Sequence, residues 1–186
     1  MRAMDGYTGT LETRSALVLS AYLFTRPSEL RQMEWAEIKG DVWTIPANKM
    51  KAGKVHIVPL PRQAMAILEE LKPVTGRRRY VFPSRTDTSK PMSNNTVRQA
   101  LRRLGYDNET MTAHGFRAMA STRLYELGYP TDVIEKQLAH AVGNDVRRAY
   151  DRSQYLDQRT AMMQQWADYL DNLRDGAKVL PFRKAG

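Results

Sequence analysis

The apolar positions divide the chain into short helices arranged around one β-hairpin. Residues 1–10 are polar and glycine-containing and are expected to be a loose lead-in. Leu11–Phe24 is apolar on nearly all sides, which predicts a helix buried in the core. Thr25-Arg26-Pro27-Ser28-Glu29-Leu30 then restarts a helix, because Pro at the first helical position gives up no hydrogen bond. Arg26 thereby falls at a sharp break behind a buried helix, a rigid place to hold a side chain.

Val42-Trp43-Thr44-Ile45 and Val55-His56-Ile57-Val58 are short runs of β-branched and aromatic residues, predicting two strands. Residues 46–54 between them form a hairpin loop with Lys49, Lys51 and Lys54 on it and Gly53 supplying the turn. Pro59 and Pro61 end the second strand and open a helix with an inward stripe of Ala64, Leu68 and Leu71. Tyr80-Val81-Phe82 reads as a short extended piece. Ser93 is expected to cap a helix ending at Gly105, with Val97, Ala100, Leu101 and Leu104 inward and Arg98, Arg102 and Arg103 on the other face.

Thr112 is expected to cap a central helix running to Leu127, with Phe116, Ala120 and Leu127 as its core ridge. His114 and Arg117 share an adjacent side of it. Short helices follow over 131–139 and 145–151, the second carrying Tyr150. Met162, Trp166, Tyr169, Leu170 and Leu173 make an amphipathic stripe on the last helix. Residues 175–186 read as a flexible tail. These elements predict one mainly helical α+β domain over residues 11–174 with a small antiparallel hairpin, and no parallel sheet.

Composition narrows the function. The 186 residues suffice for one domain with a sizeable core. Lys and Arg number 29 against 20 Asp and Glu, a net charge of +9, which fits a nucleic-acid partner, less often an acidic membrane, and equally a merely basic housekeeping protein. There are no cysteines, so disulfides, thiolate zinc sites and thiol chemistry are excluded. The longest apolar run, Ala16 to Phe24, is far shorter than the roughly 20 residues of a membrane span, and no secretory leader is visible. A cytoplasmic protein with no membrane partner is expected. No tight His/Asp cluster suggests a metal, and no cofactor is expected.

The chemistry-bearing residues are Arg26, Lys51, His114, Arg117, His140 and Tyr150. Breaking a phosphodiester without a metal requires stabilising charge on the non-bridging oxygens, readying a nucleophile and protonating the leaving oxygen. Guanidinium groups match a phosphate and stay charged. A loop lysine can act as general acid. A tyrosine can attack phosphorus and hold it as an ester. Histidines can exchange protons with the same phosphate. Each residue alone has a plainer reading: a helix-start arginine, an exposed lysine, a half-buried aromatic among 9 tyrosines, a histidine at a helix end. Lys49 and Lys54 compete with Lys51, and Tyr155 competes with Tyr150. Arg98, Arg102 and Arg103 are candidate contacts to the DNA backbone, or simply a solvated helix face.

The order of these pieces is more telling than any one of them. Arg26-Pro27-Ser28-Glu29-Leu30, Lys51-Ala52-Gly53 before His56-Ile57-Val58-Pro59-Leu60, His114-Gly115-Phe116-Arg117, Leu138-Ala139-His140 and Tyr150 together resemble the catalytic domain of the tyrosine recombinases, in the flavour of prophage or genomic-island integrases. The match runs from Leu11 to Trp166, with Ser28 where the family usually has Gly. The resemblance implies DNA cutting and rejoining through a 3′-phosphotyrosyl intermediate, for integration or excision of mobile DNA. It implies that Arg26 and Arg117 bind the scissile phosphate, Lys51 is the general acid, His114 and His140 assist, Tyr150 is the nucleophile and Glu29 holds Arg26. It further implies double-stranded DNA as partner, a tetrameric synapse in the full-length enzyme, and an N-terminal DNA-clamping domain not contained in these residues. A non-catalytic DNA-binding module of the same fold and a type IB topoisomerase are the alternatives.

Overall fold

The structure, a computed structural model, describes residues 1–140 and 155–176. Around its centre runs α2 (Leu11–Leu23), whose Ala16, Leu17, Leu19, Ala21 and Leu23 are almost fully buried, as its all-round apolar character requires. It packs against α1 (Arg2–Asp5), α3 (Pro27–Arg31), α4 (Arg62–Thr75), α5 (Thr96–Arg103), α6 (Gly115–Glu126) and α8 (Leu156–Asp175). α7 (Thr131–Gln137) packs between α6 and α8. Trp166 fixes α8 on α2: its Nε1 donates to Ala21 O at 2.9 Å, and its ring meets Phe24 edge-on with centroids 6.0 Å apart.

The sheet is antiparallel in the order β1 (Ile38–Lys39), β2 (Val42–Ile45), β3 (His56–Pro59). Trp43 pairs with Val58 and Ile45 with His56, and all four side chains are buried. The fold is therefore the expected mainly helical α+β domain, with a third strand that two residues cannot announce by periodicity. Gly53 sits at φ +62° in the loop, a conformation that favours glycine, as its turn role required.

Several expectations need correction. The lead-in is not loose: residues 2–5 are helical, and Met4 and Tyr7 lie in the core, three residues apart in a segment too short for a repeating apolar stripe. α5 begins at Thr96, because Ser93 Oγ accepts from Asn95 N–H at 3.3 Å and makes a turn instead of the helix cap. On α6 the buried ridge is Phe116, Ala120 and Leu124; Leu127 has reached the helix end and is only partly covered. Leu104 is likewise partly covered, and Leu173 is exposed near the end of α8. The helix expected over 145–151 and most of the expected tail lie outside the described residues.

Candidate active site

Arg117 is the point at which the separate boxes meet. It lies in the first turn of α6, which Thr112 orders by accepting the N–H of Gly115 on Oγ1 at 3.0 Å. The side chain turns inward and the residue is buried. Its Nη1 donates to Phe24 O at 3.3 Å and its Nη2 donates to Leu138 O. Phe24 lies two residues before Arg26, and Leu138 two before His140. One guanidinium thus ties together the breaks that deliver the other two groups. Two of its five N–H donors are spent on these carbonyls, leaving three that no described residue is seen to take.

Arg26 is the N-cap of α3, in extended backbone ahead of Pro27. Buried Glu29 grips it twice: Oε2 accepts the Arg26 backbone N–H at 2.9 Å and Oε1 accepts from Nη1 at 2.8 Å. This is the holding role expected of Glu29. The Arg26 side chain keeps 21% exposure, so its fork is fixed on one edge and open on the other. On the far side, His140 Nδ1 donates to Glu135 Oε2 at 2.8 Å, and Tyr125 Oη donates to Glu135 Oε1 at 2.7 Å. A carboxylate can only accept, so the Nδ1 proton is fixed and Nε2 is left for other work.

The electrostatics are those of an anion site. Burial pushes the Arg117 pKa down to about 10, and the neighbouring Arg26 charge adds to this, against Glu29 and Glu135; the group stays charged at neutral pH. Burial raises the Glu135 pKa, but the hydrogen bonds from Tyr125 and His140 and the charges of His140 and Arg117 outweigh it and hold the carboxyl below its ordinary value. Two guanidiniums that repel each other gain from any anion placed between them.

The backbone carries strain at these breaks. Among the described residues the non-glycine residues with left-handed φ are Phe24 (+39°), Ala139 (+50°) and Tyr155 (+47°). The first two immediately precede the Arg26 and His140 segments, and such conformations persist where surrounding structure over-determines them, often at functional sites.

The remaining candidates stand as follows. His114 is exposed at the N-cap of α6, one turn before Arg117, with no hydrogen bond to the cluster among the described residues. Lys51 is exposed on the loop and likewise not in contact with it. Lys49 is engaged elsewhere: its Nζ donates to Glu34 Oε1 at 2.7 Å, Glu37 Oε1 at 2.5 Å and Gln32 O at 2.8 Å. Lys54 is exposed. Tyr150 lies outside the described residues. Tyr155 precedes α8 with its Oη 3.5 Å from Asp132 Oδ2. On α5, Arg98 and Arg103 are exposed, but Arg102 is used internally, donating to Tyr106 O and Asn108 Oδ1.

With this geometry in hand, the comparisons with known proteins are decisive. The phage integrase family profile matches residues 1–156. The chain belongs to the phage integrase family. It is 44% identical over 182 residues to prophage integrase IntA of Escherichia coli (strain K12), covering 97% of this chain and 44% of that relative. It is 46% identical over 189 residues to the integrase of Enterobacteria phage P4, covering 92% of this chain and 43% of that one. The chain therefore spans less than half the length of these relatives. In fold it resembles the integrase from mycobacterium phage Brujita, with a TM-score of 0.68 at 17% identity over 88% of this chain and 54% of that one. It also resembles a lambda integrase tetramer bound to a Holliday junction, with a TM-score of 0.59 at 20% identity over 77% of this chain and 45% of that one.

This integrase-family domain holds polar residues that the sequence reading passed over. Glu135 was missed because its bond to His140 crosses a helix end instead of following helical spacing. Arg159, fully buried, was missed although its position gave a signal: with Met162, Met163, Trp166 and Leu170 it falls on the apolar stripe of α8. An arginine on such a stripe is buried with partners. Here they include Gln137 Oε1, reached by Nε at 3.0 Å and by Nη2 at 2.8 Å, and Ile57 O. His56 Nε2 lies 3.2 Å from Gln137 O. Burial first, then the charges of Arg159, Arg117 and Arg26, push the His56 pKa down to about 3 against the lift of that hydrogen bond, so it is neutral at neutral pH.

Proposed function

We propose that the chain is the catalytic domain of a site-specific DNA recombinase, which cuts and rejoins double-stranded DNA to integrate or excise mobile DNA. The observation that carries this reading is the Arg117 guanidinium, bonded at once to the segment of Arg26 and the segment of His140. Arg26 and Arg117 take the non-bridging oxygens of the scissile phosphate, where negative charge grows in the transition state. The Tyr150 hydroxyl attacks phosphorus as its proton passes to His140 Nε2, the ring nitrogen left free to accept. The bond from phosphorus to the 5′-oxygen breaks, and Lys51 donates a proton to that oxygen. The product is a 3′-phosphotyrosyl ester and a free 5′-hydroxyl; attack by a 5′-hydroxyl reverses the steps and reseals the strand. His140, with Nδ1 held by Glu135, exchanges a proton through Nε2 at the same phosphate, and His114 assists. Family membership and the DNA-bound lambda integrase tetramer of like fold support DNA as the partner and self-association on it. Such a protein works where bacterial DNA lies, in the cell interior. Among the described residues no helix is long and apolar enough to cross a membrane.

The test is incubation with a nicked duplex whose cleaved end diffuses away, followed by denaturing electrophoresis. A covalent protein–DNA adduct is expected, and Tyr150→Phe abolishes it. DNA binding without any adduct identifies a non-catalytic module and sinks the reading. An adduct that survives Tyr150→Phe but not Tyr155→Phe moves the nucleophile.

A further inference from the structure

The lysine loop hangs between two feet, one pinned by a largely covered charge and the other by a fully buried one. On the β2 side the pin is Lys49, whose side chain is 11% exposed between Glu34 and Glu37; Glu37 in turn accepts from Trp43 Nε1 at 3.0 Å. On the β3 side the pin is Arg159. It reaches from the first turns of α8 to the Ile57 carbonyl of β3 and to the Gln137 carboxamide at the end of α7. His56, beside Ile57, adds its own bond to the Gln137 carbonyl. Between the feet, residues 51–55 are all exposed.

The second pin serves more than cohesion. Gln137 is 1% exposed and its Nε2 has no hydrogen-bond partner among the described residues, so Arg159 orients the carboxamide through Oε1. A fully buried guanidinium is a costly way to fill space, and an apolar residue of similar size would often be as stable. What the charge supplies is direction. It fixes β3, the end of α7 and the start of α8 at one point. Lys51 lies five residues before His56, and His140 three after Gln137.

We propose that Arg159 is a positioning residue: by latching β3 to the end of α7 it holds the lysine loop in register with the His140 side of the site, so that Lys51 can protonate the leaving oxygen. This rests on the function proposed above. Arg159 touches no substrate in this scheme and acts only through the strand that carries the loop.

The chemistry provides a discriminating test. A duplex with sulfur in place of the bridging 5′-oxygen expels a thiolate, which leaves without a proton and makes a general acid dispensable. The full chain, Arg159→Met, Arg159→Lys, Lys51→Ala and Tyr150→Phe are compared on oxygen and sulfur duplexes at saturating DNA. Arg159→Met is expected to slow adduct formation about tenfold or more on oxygen and only about two- to threefold on sulfur, the pattern of losing a general acid. Lys51→Ala gives the same pattern, Arg159→Lys recovers part of the rate, and the DNA affinity of Arg159→Met is unchanged. An equal loss on both duplexes, or a parallel loss of DNA affinity, overturns the proposal. A wild-type chain that makes no adduct, or a Lys51→Ala defect that sulfur does not relieve, defeats the functional reading instead. Amide hydrogen exchange then decides the latch without any reaction. Arg159→Met should speed exchange at 55–58 while α4 keeps its protection; uniform acceleration, or none, refutes it.

Discussion

Arg26 and Glu29 show a functional pair that local chemistry explains almost completely. A carboxylate three residues into a helix that starts at Pro27 is within reach of the N-cap, and here it takes both the backbone and the guanidinium of Arg26. Glu29→Gln keeps the shape but removes the charge that aligns the arginine. Charge-assisted hydrogen bonds contribute about 1.5–3 kcal/mol, so strand cleavage should fall roughly 10- to 100-fold. Arg26→Lys should fall at least as far, since an ammonium cannot present two parallel donors. Single-turnover adduct formation measures both. His56 makes a different prediction. Its pKa is pushed down to about 3 in the folded state but stays near its ordinary value of about 6.5 when unfolded. The unfolded chain therefore takes up a proton that the folded one refuses. This contribution is fully present above about pH 6.5 and is lost as pH falls toward 3; by pH 5 the loss amounts to about 2 kcal/mol. Urea unfolding at pH 7 and pH 5 should show that loss, and His56→Gln should flatten it. The Arg26–Glu29 pair was legible because it is local. The burial of Arg117 and the clamp of Glu135 on His140 were not, because both depend on segments that meet only after folding.

The hairpin is where element-scale reasoning separates three similar lysines. Strand pattern and loop boundaries were readable from β-branched runs flanked by Pro and Gly, and the structure places β2 and β3 close to where they were expected. What the pattern could not show is that Glu34 and Glu37, across a short turn, fold back onto Lys49. The hydrogen bond from Arg79, joined by the bond and charge of Lys49, outweighs the upward push of burial and holds the Glu34 pKa below its ordinary value. Removing Lys49 leaves Glu34 with Arg79 alone and takes from Glu37 the cation it pairs with among the described residues. Lys49→Met is therefore expected to cost about 3–5 kcal/mol, the usual penalty for breaking one side of a buried pair. Lys51, exposed and outside this knot, should behave in the opposite way: Lys51→Ala leaves the denaturation midpoint where it was and loses cleavage. If Lys49→Met stays fully stable and only chemistry suffers, the two roles have been assigned the wrong way round.

Over the whole molecule, charge is unevenly put to use. A net charge of +9 is compatible with a nucleic-acid partner, but it could not say which cations are free to meet one. The folded lead-in makes the same point for apolar residues, since Met4 and Tyr7 are buried only once the chain has folded and α1 lies against α2. α5 makes the case for arginine. Arg98 and Arg103 stand exposed, while the Arg102 guanidinium is bonded to Tyr106 and Asn108 within its own domain. A phosphate contact releases counterions, so each one lost should reduce the slope of log affinity against log salt by about 0.9 on duplex DNA. If both exposed arginines meet the backbone, replacing the pair with Ala lowers the slope by about 1.8 and weakens binding to all sequences alike. Arg102→Ala should instead leave the slope alone and lower thermal stability, because Tyr106 and Asn108 lose a donor. Filter binding over a range of salt, beside a melting curve, separates the two. An unchanged slope in the double variant would assign Arg98 and Arg103 to a solvated helix face and move the DNA footprint off α5.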